Sequence, residues 1–512
     1  MMIVAPSWDL GKADSLVKLA EDLAGFVRRA VVEGASLDDL ERGTFRRVLQ
    51  MGRAAVDLFL EAQGDGDLGP MVATPEGSVL ERSDGPRDRP LRTIFGEHCF
   101  KAYVYSQGRK QKIELRPIDA RINLPEGKAS YLLQEFSQLF CVEKAFGVGA
   151  RQFEAVFQQK LSVDVLEDMN RAMGEHADRF LNGLAAPAQA DEGEILVVSA
   201  DGKGVPLVRQ DAVQVPAFEE KERPGNRRMA TLGCVYTVAR HVRTPEQIVA
   251  ALFRDETVPQ PPDRPQPQGK RYRGYFAEAG AEGEDAVPGA YRTWTWITEE
   301  VQARHRPGQP IVRLMDGQPS LWEASDACLD EFVAERREAG ESQPLVDILD
   351  IIHVSGYVWK AAKAFHTHKE QQEAFVHERL LRILRGEVLG VVKGLRRMAS
   401  QRDLKGEALK AVQTTCNYFR KNARRMRYPK YLRAGYPIAT GVIEGACRHL
   451  IKDRMEQGGM RWTLAGAEAM LNVRSVCASS EWEAFGAWRQ MQEAQRVHPH
   501  RTLVANSKGF KA

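Results

Sequence analysis

Three acidic residues stand where they could hold metal ions. Asp201 closes the apolar run in EILVVSAD, Asp316 closes PIVRLMD, and Glu444 lies near the start of GVIEGACRHLIKDRMEQGGMRW. Two carboxylates at strand ends and a third on a helix supply hard oxygen ligands, which suit Mg²⁺ or Mn²⁺. A pair of such ions about 3.5–4 Å apart can activate an attacking oxygen and steady a leaving one. The expected cofactor is therefore two divalent ions. A strand-end Asp followed by Gly also serves as a turn former, so the inference rests on the ordered set. Asp453 and Glu456, on the same stretch as Glu444, read as solvated charges or as partners of Arg448, Lys452 or Arg454. Glu444 itself has Arg448 at i+4. Gly441 and Gly445 favour close approach of another group to Glu444. Asp350 and His353 form D-x-x-H at a helix start, which admits two readings. The pair could orient a phosphate or a metal-bound water, or Asp350 could be an N-cap beside a buried histidine. Cys447 and His449 lack the two further ligands of a zinc site. No G-x-x-x-x-G-K-[ST] occurs, so no nucleotide cofactor is expected.

The charge of +3 over 512 residues hides an asymmetry: residues 401–512 carry 20 Lys/Arg against 9 Asp/Glu, and residues 1–400 carry 52 against 60. A basic C-terminal part points to a polyanionic partner. The stretch YFRKNARRMRYPKYLR, residues 418–433, has seven basic residues, four aromatics and no acid. Arg424, Arg425, Arg427 and Lys430 are its candidate phosphate contacts, with the rings available for stacking. Arg448, His449, Lys452, Arg454 and Arg461 would extend that surface beside Glu444. Seven scattered cysteines without C-x-x-C argue against disulfides and zinc. No run of about 18 apolar residues and no signal-peptide pattern appears, so a cytoplasmic chain with no membrane span is expected.

The elements that must position these residues follow from periodicity and punctuation. Residues 12–62 read as two amphipathic helices broken at Gly34, followed by a Gly/Asp/Pro-rich loop, 64–90. Two β-like runs, TIFGEHCFKAYVYS and KIELRPID, are split by Gln107–Lys110 as in a hairpin. Residues 1–127 thus form a helical and β-hairpin module. Helical patterns over 128–146, 150–161 and 163–181 make 128–190 a helical region with a possible helix-turn-helix corner at Ser162. Strands are expected at ILVVSA, VPLVR and TLGCVYTVA, then a helix at 245–253. The Pro- and Gly-rich residues 257–290 read as a surface excursion. Strand–helix alternation returns from Ile311 to Phe365, giving 191–365 as the first part of an α/β domain. Residues 366–435 show helical periodicity only, an all-helical insertion, and 436–512 complete the domain with the Glu444 helix and a basic tail.

Strand-Asp, strands in a row, helix, strand-Asp, helix, strand, helix and a helix carrying Glu is the order of an RNase H-like catalytic domain. Over nearly its whole length the chain resembles DDE transposases of bacterial insertion sequences, in particular the Kra-type group, which look akin to Mutator-like transposases. SADGKGVPLVR, LMDGQPSLW, DIIHVSGYVWKAAKAFH and GVIEGACRHLIKDRMEQGGMRW carry the resemblance. It implies Asp201, Asp316 and Glu444 as the catalytic acids, with a D-x-x-H pair, here Asp350 and His353, between the second and third. It further implies cleavage at element ends, joining of the 3′-hydroxyl to target DNA, and a homo-oligomer acting on DNA in a bacterial cytoplasm. An RNase H-like nuclease without strand transfer shares every one of these residues, and a domesticated, non-catalytic DNA-binding protein is the reading from another class.

Overall fold

The computed structural model describes residues 10–216, 225–259, 264–280, 285–338, 340 and 345–505. It is mixed α/β and falls into two compact units, Met1–Asn170 with Trp482–Ala512, and Arg171–Glu481. This division differs from the sequence boundaries at 190/191 and 435/436. The C-terminal helices Trp482–Val497 and Arg501–Ala505 belong with the first unit. Arg489 there donates to the Gln134 side chain, and His498 Nε2 donates to the Leu124 carbonyl at 2.8 Å.

The first unit opens with α1 (Leu10–Glu33) and α2 (Leu37–Glu61), an antiparallel hairpin whose second helix is capped by the Ser36 hydroxyl accepting from Asp39 N. At their crossing the Phe26 ring lies on Gly43, where an added Cβ would come within 2.2 Å of it. Residues 64–90, expected as loop, contain β1 (Met71–Ala73), β2 (Val79–Arg82) and the start of β3 (Arg87–Thr93). Pro90 is tolerated in β3 because β4 (Gly96–Ala102) is the one strand paired with it, and the isolated bridge on its other side is made by Arg92 with Ala129. The turn of this hairpin is Ile94–Phe95, so TIFG bends where a strand was expected. β1 and β2 join β5 (Tyr105–Ser106) and β6 (Ile113–Leu115) in a separate antiparallel sheet, β5 and β6 flanking the expected turn at 107–110. Then come α3 (Pro117–Ile122), α4 (Tyr131–Glu143), α5 (Phe146–Phe157) and the start of α6 (Val163–Asn182), whose residues from Arg171 onward belong to the second unit. The corner between α5 and α6 is occupied: Gln159 Nε2 donates to the carbonyls of Thr93 and Ile94, at 3.1 and 2.7 Å.

The second unit is built on one five-stranded sheet. Its strands are β7 (Ile195–Pro206), β8 (Arg227–Val238), β9 (Gln268–Phe276), β10 (Ile311–Met315) and β11 (Leu345–Leu349), in the order β11-β10-β7-β8-β9. β7, β8 and β9 run antiparallel in succession; β10 and β11 run parallel to β7. Short α7 (Arg209–Ala212) and α8 (Pro245–Phe253) connect the first strands. One face of the sheet packs on α9 (Gly289–Arg304) and α10 (Pro319–Glu338), with Trp294, Ile297, Leu321, Trp322 and Phe332 buried against Leu196, Val198 and Val235. Leu232 pairs with Gly274 in register, and Leu471 of the helix Leu464–Ala478 approaches Gly274, so that helix covers the opposite face.

β9 corrects the reading of 257–290 as a surface excursion. Arg271 and Arg273 are buried within the strand because each is paired: Arg271 Nη1 lies 2.9 Å from Glu300 Oε1, and Arg273 Nη2 lies 2.6 Å from Asp178 Oδ1. Burying a guanidinium requires such a partner, and nothing in the local composition reveals it. Glu300→Ala is therefore expected to cost about 3–5 kcal/mol in urea unfolding, since it leaves Arg271 buried without its carboxylate.

After β11 the chain is helical: α11 (Ile351–Phe365), α12 (Lys369–Leu384), α13 (Val388–Gln401), α14 (Gly406–Asn422) and α15 (Tyr428–Arg433). Residues 366–435 contain no strand. Then follows α16 (Gly441–Ala446), continued by a π-helical turn, Cys447–Lys452. No disulfide links the seven cysteines, and among the described residues no helix is long and apolar enough to cross a membrane.

Candidate functional site

Asp201 is not at a strand end. β7 runs twelve residues, through ILVVSADGKGVP, because β8 pairs with it along the whole length, including Asp201 opposite Leu232 and Gly204 opposite Met229. VPLVR is thus not a second strand: Val205 and Pro206 end β7, and Arg209 opens α7. Glycines that would weaken an isolated strand are carried here by the unbroken ladder. Asp201 shares the sheet face of Leu232, the face covered by the helix Leu464–Ala478. Asp316 follows β10 directly. The parallel register sets Arg313 opposite Val198, and its continuation by three residues brings Asp316 level with Asp201. Each Asp uses Oδ1 locally: Gly202 N donates to Asp201 at 2.7 Å, and Gln318 N donates to Asp316 at 2.9 Å. Asp316 is thus a turn former as well, and its Oδ2 faces the site.

His353 joins the second acid to the third. Its Nε2 lies 3.9 Å from Asp316 Oδ2, and its Nδ1 lies 3.5 Å from Glu444 Oε1. Asp350, fully buried, is the N-cap of α11: its Oδ2 accepts from His353 N at 2.8 Å and pairs with His353 Nδ1 at 2.9 Å, while its Oδ1 accepts from Thr440 N at 2.9 Å. Asp350 is thus the N-cap of the second reading, whereas His353 is exposed toward the acids and not buried. The bond to Asp350, with the charges of Asp350, Asp316 and Glu444, lifts the imidazole to about 9 against the opposing effect of burial. Burial holds the Asp316 carboxyl above its ordinary range, opposed by the Gln318 N–H bond and by His353. Glu444 accepts from the Thr440 hydroxyl at 2.9 Å. Arg448 lies 3.6 Å from Asp453 Oδ2, and Glu456 pairs with Arg227 at 2.8 Å, so these two acids are engaged away from the cluster.

Ligand atoms of Asp350, His353 and Glu444 lie within 4.8 Å of one another. Asp350 is nonetheless a poor metal ligand, because both its oxygens already accept hydrogen bonds and it is sealed from solvent. It positions His353 and Thr440. Asp201, Asp316 and Glu444 offer carboxylate oxygen, the donor type that Mg²⁺ and Mn²⁺ prefer.

Two tyrosines that sequence reading did not place at the site frame it. Tyr357, one turn after His353 on α11, stacks on Tyr418 of α14 with ring centroids 3.9 Å apart and planes 16° from parallel. The Tyr418 ring lies flush on Gly317, where an added Cβ would sit 2.3 Å from it. The Gly after Asp316 is thus required by a ring arriving from 101 residues downstream. Gly317→Ala is expected to destabilise the chain by about 1–3 kcal/mol through this overlap. Chemical denaturation of Gly317→Ala in a Tyr418→Ala background should show much of the cost gone.

The basic residues divide into two classes. Arg424, Arg427, Lys430, Arg448, Lys452 and Arg461 are exposed. Arg425 and Arg454 are buried, which corrects their reading as phosphate contacts. Arg425 lies 3.6 Å above the Trp322 ring and donates to Asn422 Oδ1 at 3.0 Å, and burial lowers it to about 10. Arg454 lies 4.8 Å from the Trp462 ring centroid. The aromatics of 418–433 are likewise engaged. Tyr428 and Tyr431 donate through their hydroxyls to the carbonyls of Leu349 and Asp347 on β11, at 2.8 and 2.9 Å, and Phe419 is buried. They cover an edge strand, an alternative to stacking that answers the exposed-edge problem.

No known protein-family model matches the chain, and a search of curated proteins finds no match.

Proposed function

We propose that the chain is a metal-dependent DNA transposase of the DDE type, which cleaves element ends and joins the freed 3′-hydroxyl to target DNA. The observation that carries this reading is the approach of acids far apart in sequence. Asp201 and Asp316 fall level on the two central parallel strands, and Glu444 reaches the same place through His353. The five-strand order, with an antiparallel trio beside two parallel strands, is also what an RNase H-like catalytic domain requires, and 366–435 has the all-helical content of the proposed insertion.

In this reading Asp201, Asp316 and Glu444 would hold two Mg²⁺ or Mn²⁺ ions, and such ions would supply Lewis-acid stabilisation at the reacting phosphate. Asp350 fixes the ring orientation of His353, and Thr440 orients Glu444. His353 turns its Nε2 edge toward Asp316, a direction suited to a hydrogen bond with a phosphate oxygen drawn into the same space. Exposed Arg424, Arg427, Lys430, Arg448, Lys452 and Arg461 track the duplex backbone.

The test is purified full-length protein with a duplex carrying the terminal repeats found beside its gene, assayed with and without Mg²⁺ or Mn²⁺. Nicking at the repeat end followed by joined products supports the proposal. Nicking without joining favours the RNase H-like nuclease, and binding without any metal-dependent cleavage favours the non-catalytic DNA-binding protein.

A further inference from the structure

We infer that α1 is a dimerisation element that packs antiparallel against α1 of a second copy of this chain. α1 carries two apolar seams. One, Leu16, Leu19, Leu23, Phe26 and Ala30, faces α2; Ala30 is buried and Phe26 rests on Gly43. The other, Val17, Ala20, Ala24, Val27 and Val31, is exposed along its whole length, Val31 to 78%. Its spacing is 3-4-3-4, the pattern by which a helix presents a continuous seam to another helix. On α2 the same spacing, Phe45, Val48, Gly52, Ala55 and Phe59, is interrupted at its centre, because the Phe95 ring lies on Gly52, where an added Cβ would come within 2.4 Å of it.

At roughly 100° per residue, the exposed α1 seam is turned by about 100° from the side of the helix that faces α2. A monomer gains nothing from a continuous apolar seam held in water.

The charges beside the α1 seam select a second copy as the occupant. Glu21 and Arg28 are exposed and flank the seam on the edge away from α2, on either side of Ala24. A two-fold axis through Ala24 runs α1 antiparallel to its copy, sets Val17 against Val31 of the other chain, and places Glu21 beside Arg28 of the other chain twice over. Such an isologous interface is self-complementary in both shape and charge. The small side chains of Ala20 and Ala24 at its centre allow the axes to approach closely.

Sedimentation velocity of the full chain without DNA, at micromolar concentration, tests this. The wild type is expected to sediment as a dimer, and Val27→Glu/Val31→Glu as a monomer with unchanged far-UV circular dichroism, since both positions are exposed. Glu21→Arg should weaken the dimer by about ten-fold, and Glu21→Arg/Arg28→Glu should restore it. A monomeric wild type, a glutamate variant that still dimerises, or a charge reversal that the second substitution fails to rescue would each overturn the assignment. None of these outcomes depends on the catalytic reading.

Discussion

Asp316→Asn is expected to lower metal-dependent strand cleavage by about 10³-fold or more, while affinity for duplex DNA stays within about two-fold of wild type. The substitution keeps the side chain's volume, and its amide oxygen can still accept from Gln318 N, so the turn into α10 survives. What it removes is one negative charge beside His353, level with Asp201 on the neighbouring strand, and with it one hard oxygen of the proposed metal-binding set. Stability supplies a second readout. Burial already opposes the charged form of Asp316, and Asp201 and Asp350 repel it, so a neutral side chain should leave thermal unfolding unchanged or raise it in metal-free buffer. A variant that loses activity and stability together would indicate collapse of the turn. Full cleavage by a stably folded Asp316→Asn would remove this residue from the site. Activity lost at a cost that stability does not share is the signature of a functional charge.

The site was legible in the sequence as a set of residue types, and much less so as a set of positions. Asp201, Asp316 and Glu444 stood out because each is an acid at the margin of an apolar run, and the continuous run Ile311–Met315 placed Asp316 correctly after β10. It misplaced Asp201 because Gly202 and Gly204 look like a break, and only the ladder with β8 shows that the strand continues through them. β9 was missed for a related reason: its arginines look solvent-borne until Glu300 and Asp178 are found beside them. Thr440 carries a local signal, four residues before the Glu444 whose carboxylate it binds. Tyr418 carries none, since its place on Gly317 depends on how α14 meets β10. The long amphipathic helices α1 and α2 were the easiest elements to read, their period being local.

Replacing Arg424, Arg427 and Lys430 together with Ala is expected to flatten the plot of log affinity against log salt by about 3 units on duplex DNA, close to 0.9 for each phosphate that is no longer neutralised. Specific and random duplex should weaken alike, because neutralising a phosphate releases counterions whatever base lies beside it. The basic strip has four candidates by composition, but the structure removes Arg425 from the count. That guanidinium is held between Trp322 and Asn422 and lies buried, whereas the other three are exposed and line one cleft of about 620 Å³ with Arg337. Arg425→Ala should therefore behave in the opposite way, leaving the salt slope unchanged and lowering the unfolding midpoint because Trp322 loses the side chain packed on it. Fluorescence anisotropy across a salt series, paired with denaturation of each variant, separates the two classes. An unchanged slope in the triple variant would make the exposed residues no more than a solvated helix face. A flattened slope in Arg425→Ala would mean that the strip rearranges to bring that side chain to the surface when DNA arrives.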